Sequence, residues 1–158
     1  MKNKKIFITG IAGFLGSHIA DKFLSMDWDV SGNDNLKGGY KDNVPKDAKF
    51  YEIDCDNLND LTQAMQESDI VFHTACTAYE GLSVFSPDLI CKNTYQIGVT
   101  AMTAAIRSNV KKFIHCSSMA RYGEHRLGNK AFTEDQVCQP QDPYGISKFA
   151  LEKLLINL

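Results

Sequence analysis

Residues 5–26 constrain the fold more tightly than any other stretch of this sequence. Lys5-Ile6-Phe7-Ile8-Thr9 is a short apolar run that ends at Gly10, the pattern of a buried strand. From Phe14 onward, Leu15, Ile19, Phe23 and Met26 recur at helical spacing. Gly10-Ile11-Ala12-Gly13-Phe14-Leu15-Gly16 joins the two segments. Glycines there permit a tight turn and let backbone N–H groups approach a pyrophosphate, whose charge the helix N-terminus then favours. The first gap is one residue longer than in the dinucleotide fingerprint. A plain turn would also explain a lone glycine triplet. Placed between a strand and an amphipathic helix, the triplet predicts nucleotide binding.

The same alternation continues along the chain. Strands are predicted over 30–33, 50–53, 69–73 and 112–116, and helices over 14–26, 58–65 and about 88–108. The stretch 123–143 is polar, with Gly and Pro, and reads as a loop. A last helix begins at Pro143 with Asp142 as its N-cap, and carries the apolar stripe Leu151, Leu154, Leu155 and Leu158. Alternating strands and helices with β-branched strands predict an α/β chain: a Rossmann-type, doubly wound parallel sheet with helices on both faces. No repeat, low-complexity segment or linker interrupts it, so one domain is expected over 1–158.

Composition excludes several classes. The 158 residues are 44% hydrophobic and 23% charged, with a net charge of -2, as in an ordinary globular protein. No basic excess points to nucleic acid. No apolar run approaches the ~20 residues that span a bilayer. The start, Met1-Lys2-Asn3-Lys4-Lys5, is basic like that of a signal peptide, but the apolar stretch behind it holds two glycines and a threonine and leads into the glycine motif, so a strand is expected there rather than a signal peptide's apolar core. Cys55, Cys76, Cys91, Cys116 and Cys138 form no C-x-x-C, and His18, His73, His115 and His125 show no ligand spacing with them. A disulfide framework or metal site is therefore not expected, and reduced thiols in a cytoplasmic protein are.

Ligands of such sheets bind beyond the carboxyl ends of the strands, so polar residues at those ends become candidates. Asp34, 18 residues after Gly16, can accept hydrogen bonds from a ribose hydroxyl pair and repel a 2′-phosphate, favouring NAD over NADP. Lys37 and Lys41 lie nearby. Asp54-Cys55-Asp56 ends the third strand and could meet an adenine. Thr74-Ala75-Cys76 follows the fourth, where small residues permit close approach of a cofactor; His73 before them reads as structural. Cys116-Ser117-Ser118 ends the fifth, and a serine hydroxyl there can donate to a carbonyl or alkoxide. Tyr144 and Lys148, four residues apart, share one helix face. A free tyrosine titrates near pKa ~10, and a fixed cation beside it favours the phenolate. The alternative for such a pair alone is a solvated helix face. Features at five strand ends favour catalysis.

With these motifs assembled, the chain resembles the extended short-chain dehydrogenase/reductase family, the NAD-dependent epimerase/dehydratase group, over essentially its whole length. Thr9-Gly10-Ile11-Ala12-Gly13-Phe14-Leu15-Gly16 is similar to its TGxxGFLG motif. Cys116-Ser117-Ser118-Met119-Ala120-Arg121-Tyr122-Gly123 resembles its SSxxxYG stretch, and Pro143-Tyr144-Gly145-Ile146-Ser147-Lys148 its PYxxSK. The resemblance implies that Phe14 and Leu15 lie over the pyrophosphate turn, and that Asp34 and Asn35 hold the adenosine ribose. It implies Tyr144 as base, Lys148 as the group that holds the nicotinamide ribose and tunes Tyr144, and Ser118, five residues before Gly123, as the group that positions the sugar hydroxyl. Tyr95 stands where the family often has asparagine, with Asn93 two residues earlier.

The resemblance also ranks the chemistry. Family dehydratases usually carry a carboxylate just after the serine; here Met119 and Ala120 stand there. That implies a nucleotide-sugar 4-epimerase, of UDP-glucose 4-epimerase type, over a reductase or dehydratase. A non-catalytic NAD-binding module is the alternative of another class. Family members continue into a substrate domain, whereas this chain ends ten residues after Lys148. The expectation is thus a sheet truncated after its fifth strand and the catalytic helix, within a longer protein. Two copies are expected to pair through helices 88–108 and 143–158.

Overall fold

The computed structural model describes residues 4–124 and 131–158. His125, residues 126–130 of the predicted polar loop, and Met1–Asn3 of the basic start lie outside the described residues. Five strands form one sheet: β1 (Lys5–Thr9), β2 (Asp29–Asp34), β3 (Lys49–Glu52), β4 (Ile70–His73) and β5 (Lys112–His115), in the order β3-β2-β1-β4-β5. Every pairing is parallel, with Thr9 opposite both Asn33 and His73. The predicted Rossmann-type α/β fold is therefore present. The strand order reverses between β1 and β4, the switch point where such sheets bind ligands.

Chain contacts divide the protein into two compact units. The first comprises Met1–Cys76 and Ile97–Cys116; the second comprises Thr77–Gln96 and Ser117–Leu158.

In the first unit, successive β1 side chains alternate between the two sheet faces. Ile6 and Ile8 pack with Ile11, Ala20 and Val30, on the side of helix α1 (Phe14–Leu24). Phe7 packs on the other side with Val71, with Leu61 and Ala64 of α2 (Leu58–Ala64), and with Ile97, Ala101 and Ala104 of α4 (Ile97–Arg107). Phe7, Ile6, Ile8 and Leu61 are fully enclosed. Each such side chain contributes about 1.5–3 kcal/mol by its burial.

In the second unit, a single turn α3 (Pro87–Ile90) runs into a π turn, Cys91–Gln96. A 3₁₀ turn covers Met119–Tyr122, and helix α5 covers Pro143–Ile156. The start of α5 is as predicted. The Asp142 carboxylate accepts the Gly145 N–H at 2.9 Å and the Ser83 hydroxyl at 3.2 Å, and Pro143 occupies the first turn.

The structure corrects some expected boundaries. The stretch predicted as a helix over 88–108 is helical over 87–107 but not α-helical throughout, because the ladder widens to π spacing at Cys91–Gln96 before α4. Helix α1 stops at Leu24, short of Met26, and Asp27 takes a left-handed φ of 58°. The polar stretch from 123 is joined to residue 139 by a bridge between Gly123 and Gln139. Among the described residues no helix is long and apolar enough to cross a membrane, and none of their His, Cys, Asp and Glu side chains gather into a metal-holding group of three.

Candidate functional site

In the first unit the glycine turn is built from both ends. The Asn33 carbonyl at the end of β2 accepts the Gly10 N–H at 2.7 Å and the Ile11 N–H at 3.2 Å. Asp34 is buried and accepts the Ala12 N–H at 3.1 Å through one carboxylate oxygen and the Leu36 N–H at 2.9 Å through the other. The Ala12 carbonyl accepts from the Tyr40 N–H and from the Asn43 side chain, each at 3.0 Å. Gly10 has φ +76°, and a Cβ there would lie 2.9 Å from the Ala75 nitrogen. A Cβ on Gly16 would lie 2.1 Å from the Gly10 carbonyl oxygen. Only glycine permits this approach of helix to turn.

This cradle fits an anionic group. The first N–H groups of an α-helix have no acceptor within the helix, and its N-terminus carries partial positive charge. The Gly13 N-cap supplies no side-chain acceptor to α1, and the first turn holds no acidic residue. Phe14 and Leu15 beside it are exposed.

The other predicted cofactor residues ring the same strand ends. Thr74 donates its hydroxyl to the Thr9 carbonyl at 2.6 Å, and the Ala75 N–H donates to the Thr9 hydroxyl at 3.3 Å. Both therefore abut the Gly10 turn, while Cys76 beyond them is half-buried. His73 is fully enclosed and its Nδ1 lies 2.8 Å from the Thr9 hydroxyl. Asp54 is held by Asn35 at 2.8 Å, Lys37 at 3.2 Å and the Asp56 N–H at 3.3 Å. Burial pushes the Asp54 carboxyl up, but these donors outweigh it and hold it below the usual carboxylate range. Cys55 is buried, with its sulfur accepting from Asn33 at 3.2 Å. Burial pushes its thiol up to about 12, against the smaller opposing effect of Asn33.

The predicted reactive residues Tyr144, Lys148 and Ser118 all lie in the second unit. Tyr144 and Lys148 occupy successive turns of α5 and are 8% and 2% exposed. The Lys148 ammonium lies 5.8 Å from the centroid of the Tyr144 ring. Burial excludes the alternative of a solvated helix face for this pair. Ser118 caps the 3₁₀ turn, its hydroxyl oxygen accepting the Ala120 N–H at 3.1 Å. That bond leaves the hydroxyl proton to be donated elsewhere. Ser117 instead donates its hydroxyl to Glu152. Helix α5 packs directly on the 3₁₀ turn: a Cβ on Gly145 would lie 2.6 Å from the Ala120 carbonyl oxygen.

The profile of the NAD dependent epimerase/dehydratase family matches residues 6–158. The chain belongs to that family. Among curated epimerase relatives, the UDP-glucose 4-epimerase of Lacticaseibacillus casei is 32% identical over 152 residues, 95% of this chain and 45% of the relative. The chain thus spans about half the length of the curated relatives it matches. Two solved epimerases share the fold. The Thermotoga maritima UDP-glucose 4-epimerase with UDP-glucose superposes with a TM-score of 0.89 at 33% identity, over 97% of this chain and 50% of that one. The Thermus thermophilus UDP-glucose 4-epimerase complex with NAD gives 0.90 at 32% identity, over 97% and 50%.

Several site features of this family member escaped the sequence reading. Asn43 supports the glycine turn from a polar stretch that carried no periodic signal. Glu152 binds the serine turn. Its spacing four residues after Lys148 was the available signal, but that spacing alone reads as a surface ion pair. The π turn had no signal beyond Tyr95 standing at the position where the family often has asparagine.

Proposed function

We propose that this chain is the NAD-binding Rossmann part of a nucleotide-sugar 4-epimerase acting on a UDP-linked sugar. The observation that carries the reading is the buried Tyr144–Lys148 pair. A lysine is rarely enclosed to this degree without a charge or reacting group to serve. The UDP-glucose 4-epimerases that share the fold support the same class.

NAD would be held by the Gly10–Gly16 cradle, with Asp34 and Asn35 toward the ribose and Asp54, Cys55, Thr74, Ala75 and Cys76 around it. Bound, it supplies a reversible acceptor for the sugar C4 hydride. Asp34 retains lone pairs beyond its two backbone donors, so it can still accept from ribose hydroxyls. Lys37 is paired with Asp54 and Lys41 lies 3.9 Å from Glu52. Asp34 at the end of β2 would repel a 2′-phosphate, which favours NAD over NADP.

Tyr144 takes the proton of the sugar 4-hydroxyl. Lys148, with its charge beside the ring, favours the phenolate form that accepts it. Ser118 donates its remaining proton to the same sugar oxygen and holds it in register. A 4-keto sugar that turns over and regains hydride on its other face then takes its proton back from Tyr144. Met119 and Ala120 offer no carboxylate for expelling water, so the sequence of steps stops at epimerisation. In the same reading two copies pair through helices 88–108 and 143–158, and sedimentation as a stable monomer would contradict that pairing.

Replacing Tyr144 with Phe tests the assignment. The expected result is a loss of UDP-glucose to UDP-galactose conversion by about 10²–10⁴-fold, with NAD affinity within twofold of the parent (about 0.4 kcal/mol). Conversion that survives the substitution would remove Tyr144 from the chemistry. Consumption of nicotinamide cofactor in proportion to sugar would replace the epimerase by a reductase.

A further inference from the structure

One carboxylate touches both ends of the serine turn. Glu152 lies on α5, one turn beyond Lys148. One of its oxygens accepts the Ser117 hydroxyl, and the other lies 3.2 Å from Nη1 of Arg121. Ser117 precedes the Ser118 cap, and Arg121 lies within the 3₁₀ turn that follows it. Only 15% of the Glu152 side chain and 25% of the Arg121 side chain are exposed, so solvent screens the pair less than a surface pair.

Arg121 is itself fixed on its other sides. Its Nε donates to the Cys138 sulfur at 3.1 Å, and its guanidinium lies 4.9 Å from the Tyr122 ring centroid and 5.9 Å from that of Phe149. Its freedom to follow a displaced Glu152 is small. At the other end of the contact, Gly145 meets the Ala120 carbonyl with no room for a Cβ. The serine turn is therefore seated on the catalytic helix at two places: at Gly145, next to Tyr144, and at Glu152, one turn past Lys148.

We propose that Glu152 is a positioning residue that sets Ser118 against Tyr144 and Lys148 by clamping Ser117 and Arg121 to α5. This deepens the epimerase reading and rests on the role given there to Ser118. Glu152 touches neither sugar nor cofactor. It acts through the serine hydroxyl, whose angle to the Tyr144 oxygen decides whether both groups reach one sugar oxygen. Displacements of about 1 Å in such arrangements cost up to about 10²-fold in rate.

The test combines kinetics with amide exchange on the protein as its own host makes it. Glu152→Gln keeps the side-chain volume but can no longer accept from both partners. It is expected to lower kcat about tenfold, within that range, while NAD affinity stays within about twofold. In a Ser118→Ala background the same substitution is expected to cost nothing further, because its effect passes through Ser118. Additive losses would overturn the proposal. Ser117→Ala, which removes one exposed hydroxyl and leaves the Arg121 pair, is expected to give a smaller loss in the same direction. It also covers the case in which Glu152→Gln fails to fold. Independently of turnover, Glu152→Gln should speed exchange of the Ala120 amide and leave that of Gly145, capped by Asp142, unchanged. An unchanged Ala120 rate would overturn the clamp. A parent protein that turns over no sugar, together with faster Ala120 exchange in Glu152→Gln, would support the clamp and overturn the epimerase reading alone.

Discussion

Tyr144 and Lys148 show how far single residues could be read. Their spacing specified a shared helix face, but not whether that face met water or protein. Burial of both side chains decides that question. The two serines show the opposite limit. The sequence offers two adjacent hydroxyls; their separation comes from tertiary partners, Glu152 for Ser117 and the Ala120 amide for Ser118. Among the cysteines, environment rather than position sets reactivity. Cys55 is enclosed with its thiol pushed up to about 12, whereas Cys91 is exposed. At mildly alkaline pH a thiol reagent should label Cys91 rapidly and Cys55 only after unfolding, as peptide mass mapping would show. Labelling of native Cys55 at the rate of Cys91 would contradict its enclosure. The sign for stability follows. The neutral thiol contributes fully below the ordinary value of 9.0, and its contribution is lost as pH rises toward about 12.

At the scale of elements, strands and the N-terminus of α5 were legible because they rest on local chemistry. Apolar β-branched runs, an aspartate cap and a proline in the first turn act within a few residues of one another. The π turn at Cys91–Gln96 was not legible, since a widened ladder leaves the apolar spacing of the flanking helix nearly intact. Such turns are frequent at functional sites. The glycine cradle is the element most sensitive to a single atom. In Gly16→Ala the added carbon would lie 2.1 Å from the Gly10 carbonyl oxygen, so the turn or the helix must move. The expected cost is about 1–3 kcal/mol of stability, with NAD affinity reduced at least tenfold (about 1.4 kcal/mol). Chemical denaturation and calorimetric titration would measure the two. Unchanged affinity in a folded variant would show that the cradle does not hold the cofactor.

For the molecule as a whole, a five-stranded parallel sheet was readable from the alternation of strand and helix. The division of contacts into two units was not. It separates segments distant in sequence, pairing Thr77–Gln96 with Ser117–Leu158, and pattern along the chain carries no such information. The cradle lies in one unit and the Tyr144, Lys148 and Ser118 group in the other. The most direct measurement incubates the protein, as its own host makes it, with NAD and UDP-glucose, and follows sugar identity and nicotinamide absorbance together. The account predicts UDP-galactose formed with no net change in absorbance, and formed at least about 10²-fold more slowly by Tyr144→Phe. Absorbance that changes in proportion to sugar consumed, or a parent that binds NAD and converts no more sugar than Tyr144→Phe, would contradict it.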